Sequence, residues 1–341
     1  MYRLDSQDSR IFDIRREIES TDLRKQITDG LSSKPRRMPS LLLWDDEGQR
    51  LFNAFAQTSS YYIRQKELEI LNRIADDIVA NAPDGSVLVE LGCGNLEKTA
   101  IILSAFERQQ RKISYYALDV SFDELRDSIN SLVERHQESN FVEINGLWGT
   151  YNDCTAWIAS FADDDIHNFI SFLWIGNSIA NLQRSDVRSL LEQFDHACNK
   201  SNVNYQFIIG ADSCNQEGRI LEAYDTTNQL FRTFLLNGLH AANAVTGCEK
   251  FQDRDWSCMV EFDTREHELL MYYTPLRDIS IEIGGHQIAI SEGEKVHIVT
   301  SGKWREVDVE AICTTAGLGL SDIWRDSENM YCERMMYRTN L

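Results

Sequence analysis

The spacing of apolar residues changes along the chain, and each change predicts an element. Over 65–81, Leu68, Leu71, Ile74, Ile78 and Val79 recur at the interval that gathers side chains on one helix face. Shorter helices are predicted at 22–31 and 46–57, separated by Pro35 and Pro39. From residue 86 onward, short apolar runs of strand length occupy 86–91, 113–118, 141–144, 169–175 and 205–210. Between them, 95–109, 121–136, 151–161 and 185–200 carry helical spacing. Near-continuous apolar strands alternating with helices imply a parallel sheet covered on both faces. Beyond Asp212 the order changes. Residues 216–246 read as helix and 256–300 as antiparallel strands with a turn at Gly284 and Gly285. A helix at 305–316 and strands near 319–325 and 330–338 then return to the sheet. The expected architecture is α/β in two regions, one of 67–212 with 302–341, the other an α+β region of 1–66 with 213–301.

Composition narrows what such a chain can do. Its 341 residues are 43% hydrophobic and 26% charged, enough apolar material for a sizeable core. A formal net charge of −20 and a pI near 4.8 repel nucleic acid and anionic membranes. The one basic cluster, Lys34, Arg36 and Arg37, reads as a solvated turn beside Pro35. The 8 cysteines form no CxxC pair and show no zinc-ligand spacing, so reduced thiols in a cytoplasmic protein without a bound metal are expected. The first 30 residues lack an apolar segment of signal-peptide type, and no run of 18 apolar residues predicts a membrane helix.

The candidate chemistry lies at the first strand. Val87-Leu-Val-Glu90-Leu91-Gly92-Cys93-Gly94-Asn95 is a buried strand running into two glycines, with a helix behind them. Glycines there admit backbone conformations closed to other residues and let a ligand approach the main chain. In doubly wound sheets ligands bind beyond the carboxyl ends of the strands. A dinucleotide site expects a third glycine near position 97 to pack the helix against a pyrophosphate, and Glu97 stands there. A nucleoside without phosphate needs no such glycine, which disfavours a nicotinamide-dependent oxidoreductase. Asp119 ends the second strand, where a carboxylate can accept both ribose hydroxyls; an aspartate in that position can also serve a turn or helix cap before Ser121.

With these residues in place the chain resembles the EgtD-like family. Its members are the histidine N-methyltransferases of ergothioneine synthesis and the fungal 4-dimethylallyltryptophan N-methyltransferases. The resemblance spans about 20–338 and rests on 41–52 (LLLWDDEGQRLF), 60–71 (SYYIRQKELEIL), 89–99 (VELGCGNLEKT), 115–120 (YYALDV), 174–182 (WIGNSIANL) and 223–225 (AYD). It implies a Rossmann-like class I methyltransferase sheet with a second, substrate-binding domain, and S-adenosylmethionine as cofactor. By this resemblance Gly92, Cys93, Gly94 and Lys98 line the cofactor pocket, Asp119 and Val120 hold the ribose and adenine side, and Thr150 and Tyr151 contact adenine. The histidine enzymes carry an aspartate where Thr150 stands. Tyr61, Gly176, Asn181 and Tyr224 fall where the family binds the backbone of its amino acid substrate, with Tyr61, Asn181 and Tyr224 in the catalytic set. Trp44, Phe52, Val299 and Ser301 complete the implied substrate site. Taken without the resemblance, Tyr61 and Tyr62 read as an aromatic staple, Tyr224 as core, Asn181 as a turn residue and Lys98 as a solvated helix face. Cys93 reads as a packing residue between glycines rather than a reactive thiol. The usual SIGN is SIAN here, with Ala180 in place of glycine.

The substrate expectation follows from one departure. Histidine-specific members grip imidazole with a Glu-x-Ser segment; the matching segment here is Val299-Thr300-Ser301. Valine cannot pair with a ring nitrogen but can pack against an indole or prenyl group. A chain of 341 residues is also expected to be without the oxidative domain of fungal ergothioneine enzymes. The expected reaction is therefore transfer of a methyl group to the α-amino nitrogen of tryptophan or 4-dimethylallyltryptophan, as in ergot alkaloid biosynthesis, by a monomer or homodimer. A histidine Nα-methyltransferase and a non-catalytic binder of S-adenosylmethionine are the alternatives. Displacement at the sulfonium methyl needs no metal, only alignment and a neutral amine.

Overall fold

The computed structural model describes residues 10–16, 23–94, 96–161 and 169–338. Asn95, at the end of the glycine motif, and parts of the expected N-terminal region lie outside them. Contacts divide the chain into two units. The first comprises 1–16, 63–214 and 303–341, and the second comprises 17–62 and 215–302.

The first unit is built on an eight-stranded sheet. In chain order its elements are β1 (Ile11–Asp13), α3 (Tyr62–Asn81), β3 (Ser86–Leu91), α4 (Glu97–Arg108), β4 (Ile113–Asp119), α5 (Phe122–Arg135), β5 (Val142–Trp148), α6 (Tyr151–Ile158), β6 (Phe169–Trp174), α7 (Arg184–Lys200), β7 (Asn204–Asp212), α10 (Glu306–Thr315), β13 (Leu318–Arg325) and β14 (Tyr331–Arg338). The strands lie in the order β1-β5-β4-β3-β6-β7-β14-β13. All pairings are parallel except those of β14 with β7 and β13. This is a class I methyltransferase sheet, with the antiparallel pair expected at its end.

Every residue of β3 is buried, because both faces are covered. Val87, Val89 and Leu91 point into a core shared with Cys154 and Ile158 of α6, Leu190 and Phe194 of α7, and Val309 of α10. The alternate residues of a strand face the other side, and Glu90 there meets Thr99 of α4. Between β3 and β6 the strand order reverses, since β4 flanks β3 on one side and β6 on the other. At such a switch point doubly wound sheets bind their ligands, beyond the carboxyl ends of the strands.

One expectation is corrected. The N-terminal segment was assigned to the substrate region, yet Ile11–Asp13 pairs in parallel with Gly146–Trp148 and adds an edge strand to the large sheet. Three residues are too few to show periodicity in a sequence.

The second unit is α+β. It contains α1 (Leu23–Ser32), β2 (Arg36–Arg37), α2 (Asp46–Ala56), α8 (Glu217–Ala223), α9 (Gln229–Thr246), β8 (Trp256–Asp263), β9 (Glu268–Pro275), β10 (Ile279–Ile283), β11 (His286–Ile290) and β12 (Val296–Gly302). A four-stranded sheet runs β2-β12-β9-β8, and β10 and β11 form a separate hairpin turned at Gly284 and Gly285. In the basic cluster Lys34 and Arg37 are exposed, as a solvated turn requires, and Arg36 departs from that expectation. Arg36 is buried, and its Nε donates to Oε1 of Glu294 at 2.8 Å; Lys34 pairs with the same carboxylate. Burial pushes the Glu294 carboxyl up, but Lys34, the Ser291 amide and Arg36 outweigh it and hold it at about 2. Among the described residues no helix is long and apolar enough to cross a membrane, and all 8 cysteines are free thiols.

Candidate active site

The turn after β3 is held open by backbone geometry. Gly92 and Gly94 have φ of +77° and +54°, where a side chain is strained. A Cβ on Gly92 would also stand 3.2 Å from the Tyr151 hydroxyl. The turn is braced from below: Thr99 Oγ1 and Tyr115 Oη donate to Oε2 of Glu90 at 2.5 and 2.6 Å. All three groups are buried. Burial pushes the Glu90 carboxyl up to about 7, against the pull of those two hydroxyls.

Asp119 closes β4 beside this turn. Its Oδ1 accepts from the Ser121 amide at 3.0 Å, while Oδ2 faces the Gly94 amide at 3.5 Å and the Cys93 thiol at 3.8 Å. The turn reading of this residue holds: one oxygen makes the turn into α5, while the other is aimed at the glycine bend. Burial raises the Asp119 carboxyl. Burial, then the Asp119 charge, push the Cys93 thiol well up, which makes it an inert packing group.

Val120 offers its carbonyl to the Trp148 indole at 3.0 Å. Thr150 is the N-cap of α6, in a reciprocal capping box with Asp153: its hydroxyl donates to Asp153 Oδ2 at 2.7 Å and accepts from the Asp153 amide at 3.2 Å. That hydroxyl is committed to the helix end. Tyr151 packs its ring on Trp174 at 5.1 Å. Thr150 and Tyr151 border a recess of about 350 Å³ walled on its other side by Leu182, Asp186 and Ser189.

After β6 comes Gly176, at φ +78°. Its amide donates to Glu67 Oε1 at 2.5 Å, and Lys98 Nζ donates to Glu67 Oε2 at 2.7 Å. Lys98 is thus ion-paired rather than a solvated helix face. Asn181 ends a one-turn 3₁₀ helix, Ser178–Asn181, and is half-buried. Ala180 is fully buried within that helix, whose backbone needs no glycine there.

In the second unit an unbroken series of rings forms around α2 and α9. Trp44 lies 5.2 Å from Phe52 and 5.3 Å from Phe234; Phe52 lies 5.9 Å from Tyr61, and Tyr61 packs edge-on to Tyr224 at 5.7 Å. The hydroxyls of Tyr224 and Ser301 are hydrogen-bonded at 3.2 Å. Trp44 and Phe52 are half-buried, while Tyr61, Tyr224, Val299 and Ser301 are buried. Five of the expected substrate residues, Trp44, Phe52, Tyr61, Tyr224 and Ser301, are therefore linked within one unit.

Residues 23–338 match the family described as histidine-specific, SAM-dependent methyltransferases. The chain belongs to this family. It is a SAM-dependent N-methyltransferase. It is 41% identical over 322 residues to the N-methyltransferase dtpB of Aspergillus flavus, covering 94% of this chain and 90% of that one. It is 43% identical over 327 residues to the N-methyltransferase benX of Aspergillus terreus, with the same two coverages. The 4-dimethylallyltryptophan N-methyltransferase easF of Trichophyton verrucosum is 30% identical over 317 residues, covering 90% and 91%.

Sequence reasoning missed several residues that shape this methyltransferase's glycine turn and Gly176 bend. Thr99 and Tyr115 stood inside quoted motifs without a role. Glu67, Tyr331 and Glu333 read singly as unremarkable helix or strand residues. The Thr-x-x-Asp pattern at Thr150 was a visible capping signal.

Proposed function

We propose that this methyltransferase acts on the α-amino nitrogen of an amino acid with an indole side chain, tryptophan or 4-dimethylallyltryptophan, in fungal secondary metabolism. The supporting observation is Val299: an apolar, buried residue two positions from Ser301, where a polar grip on imidazole needs an acid. The half-buried rings of Trp44 and Phe52 add flat apolar surface suited to an indole.

The residues of the first unit fit S-adenosylmethionine. The open glycine bend and the Asp119 oxygen aimed at it suit a phosphate-free nucleoside, with Asp119 accepting from ribose hydroxyls and Lys98 lining the same pocket. When bound, the cofactor supplies an electrophilic methyl group on a sulfonium. The second unit is the substrate domain in this reading. Tyr224 and Ser301 present paired hydroxyls to the substrate carboxylate. The substrate nitrogen must shed a proton to expose its lone pair, and in this reading water or the Tyr61 hydroxyl takes it. Alignment supplies much of the rate.

A histidine acceptor is the second reading, favoured by the family's description. Labelled S-adenosylmethionine offered with tryptophan, 4-dimethylallyltryptophan and histidine in parallel separates the two. Preference for histidine would overturn the indole reading. Asp119→Ala is expected to weaken S-adenosylhomocysteine binding far more than amino acid binding; equal losses would reassign that carboxylate.

A further inference from the structure

Next to the Gly176 bend, within the first unit, three elements, α3, α4 and β14, bring four side chains together. Glu67 of α3 accepts three hydrogen bonds: Oε1 from the Gly176 amide at 2.5 Å and from Tyr331 Oη at 2.7 Å, and Oε2 from Lys98 Nζ at 2.7 Å. Glu333 of β14 lies beside it, and both carboxyl groups are 0% exposed. A Cβ on Gly210 would fall 2.6 Å from Glu333 Oε1, 2.6 Å from Tyr331 Oη and 2.9 Å from Glu67 Oε1. Three oxygens therefore crowd one spot above β7, and only glycine leaves them room. On Gly176 a Cβ would stand 2.8 Å from Lys98 Nζ, so the ammonium lies against that bend.

We propose that Glu67 is a positioning residue for the cofactor site, fixing the Lys98 ammonium and the Gly176 main chain to each other through one carboxylate. Lys98 then stands as a preset cation for the carboxylate of the methionine moiety, with its rotamer freedom removed before binding. Glu333 completes the arrangement. Neither of its oxygens has a donor of its own, and two ionised carboxylates at this separation would repel. A proton on Glu333, donated to Glu67, removes that repulsion. Burial, then the Glu67 charge, push the Glu333 carboxyl well above its usual range; the pull of Lys98 and Arg334 does not reverse this. The four groups thus carry one negative and one positive charge.

The inference rests on Lys98 belonging to the cofactor site, and the experiment separates the two. S-adenosylhomocysteine binding to the full chain is measured by calorimetry, with thermal melting and steady-state kinetics alongside. Glu67→Gln is expected to weaken binding about tenfold or more, with the loss in KM for the cofactor and much less in kcat. Lys98→Met weakens binding at least as much. Glu333→Gln keeps a donor toward Glu67 and stays within about threefold of wild type. Wild-type affinity in Glu67→Gln beside a weakened Lys98→Met overturns the inference alone. Wild-type affinity in Lys98→Met overturns the cofactor assignment and the inference with it. Equal losses in Glu67→Gln and Glu333→Gln reduce both to core residues and also overturn it. Should Glu67→Gln fail to fold, Tyr331→Phe, which removes one donor to Glu67, carries the test: a several-fold loss supports the inference and unchanged affinity overturns it.

Discussion

The Thr99 hydroxyl donates to Glu90 across 2.5 Å, joining the end of β3 to the first turn of α4 behind the glycine bend. The two residues bracket the motif, so strand, bend and helix are tied into one closed loop. Thr99→Val keeps the shape and removes the donor, leaving Tyr115 as the other hydroxyl on Glu90. A stability loss of about 1–3 kcal/mol is expected, since a buried acceptor loses a partner. Urea unfolding at neutral pH checks it, and unchanged stability would show that the contact carries nothing.

Glu90 makes stability depend on pH in a stated direction. Its folded carboxyl titrates at about 7, against 4.5 for an unperturbed glutamate. A group raised on folding adds stability that is complete below the unfolded value and is lost as pH rises through the folded one. Melting of the cofactor-free protein at stepped pH should therefore show Glu90→Gln gaining on wild type between pH 4.5 and 7. The difference is on the order of a few kcal/mol. A gain in the opposite direction would mean that Glu90 is held ionised.

Gly176 combines a φ of +78° with an ammonium 2.8 Å from the position of any Cβ. Gly176→Ala strains the bend and displaces Lys98 together. The variant is expected to melt lower by about 1–3 kcal/mol and to bind S-adenosylhomocysteine at least tenfold more weakly. Wild-type affinity in a folded variant would show that the bend tolerates a side chain.

Val299 offers a specificity test. Val299→Glu places an acid two residues before Ser301, and the expected outcome is measurable histidine methylation with a drop of about tenfold or more on tryptophan. Parallel kcat/KM values for the two amino acids decide it. A variant that melts with wild type and leaves their ratio unchanged would remove position 299 from substrate choice.

What the sequence disclosed and what it withheld differ by distance along the chain. Gly92, Gly94 and Asp119 fall within 28 residues, in a strand–turn–helix–strand whose periodicity is local, and the fold around them was legible. Glu67 and Tyr331 are 264 positions apart. Nothing near either residue marks it as a partner, because burial of an acid is a property of the assembled sheet. Arg36 was misread for the same reason, since Glu294 lies 258 residues away. Thr150 is the opposite case: its capping partner three residues on stands in plain view in the sequence.

β14 runs between β7 and β13 and brings Tyr331 to Glu67. During synthesis, then, β7 stays an open edge until residues 331–338 have left the ribosome. Residues 215–302, the larger segment of the second unit, are translated in that interval. A nascent chain can form the glycine bend early, but it cannot lock Glu67 in place until this late strand arrives. Loading of the nucleoside should be a post-translational event, and the unfinished edge is where the growing chain is most exposed to wrong pairing.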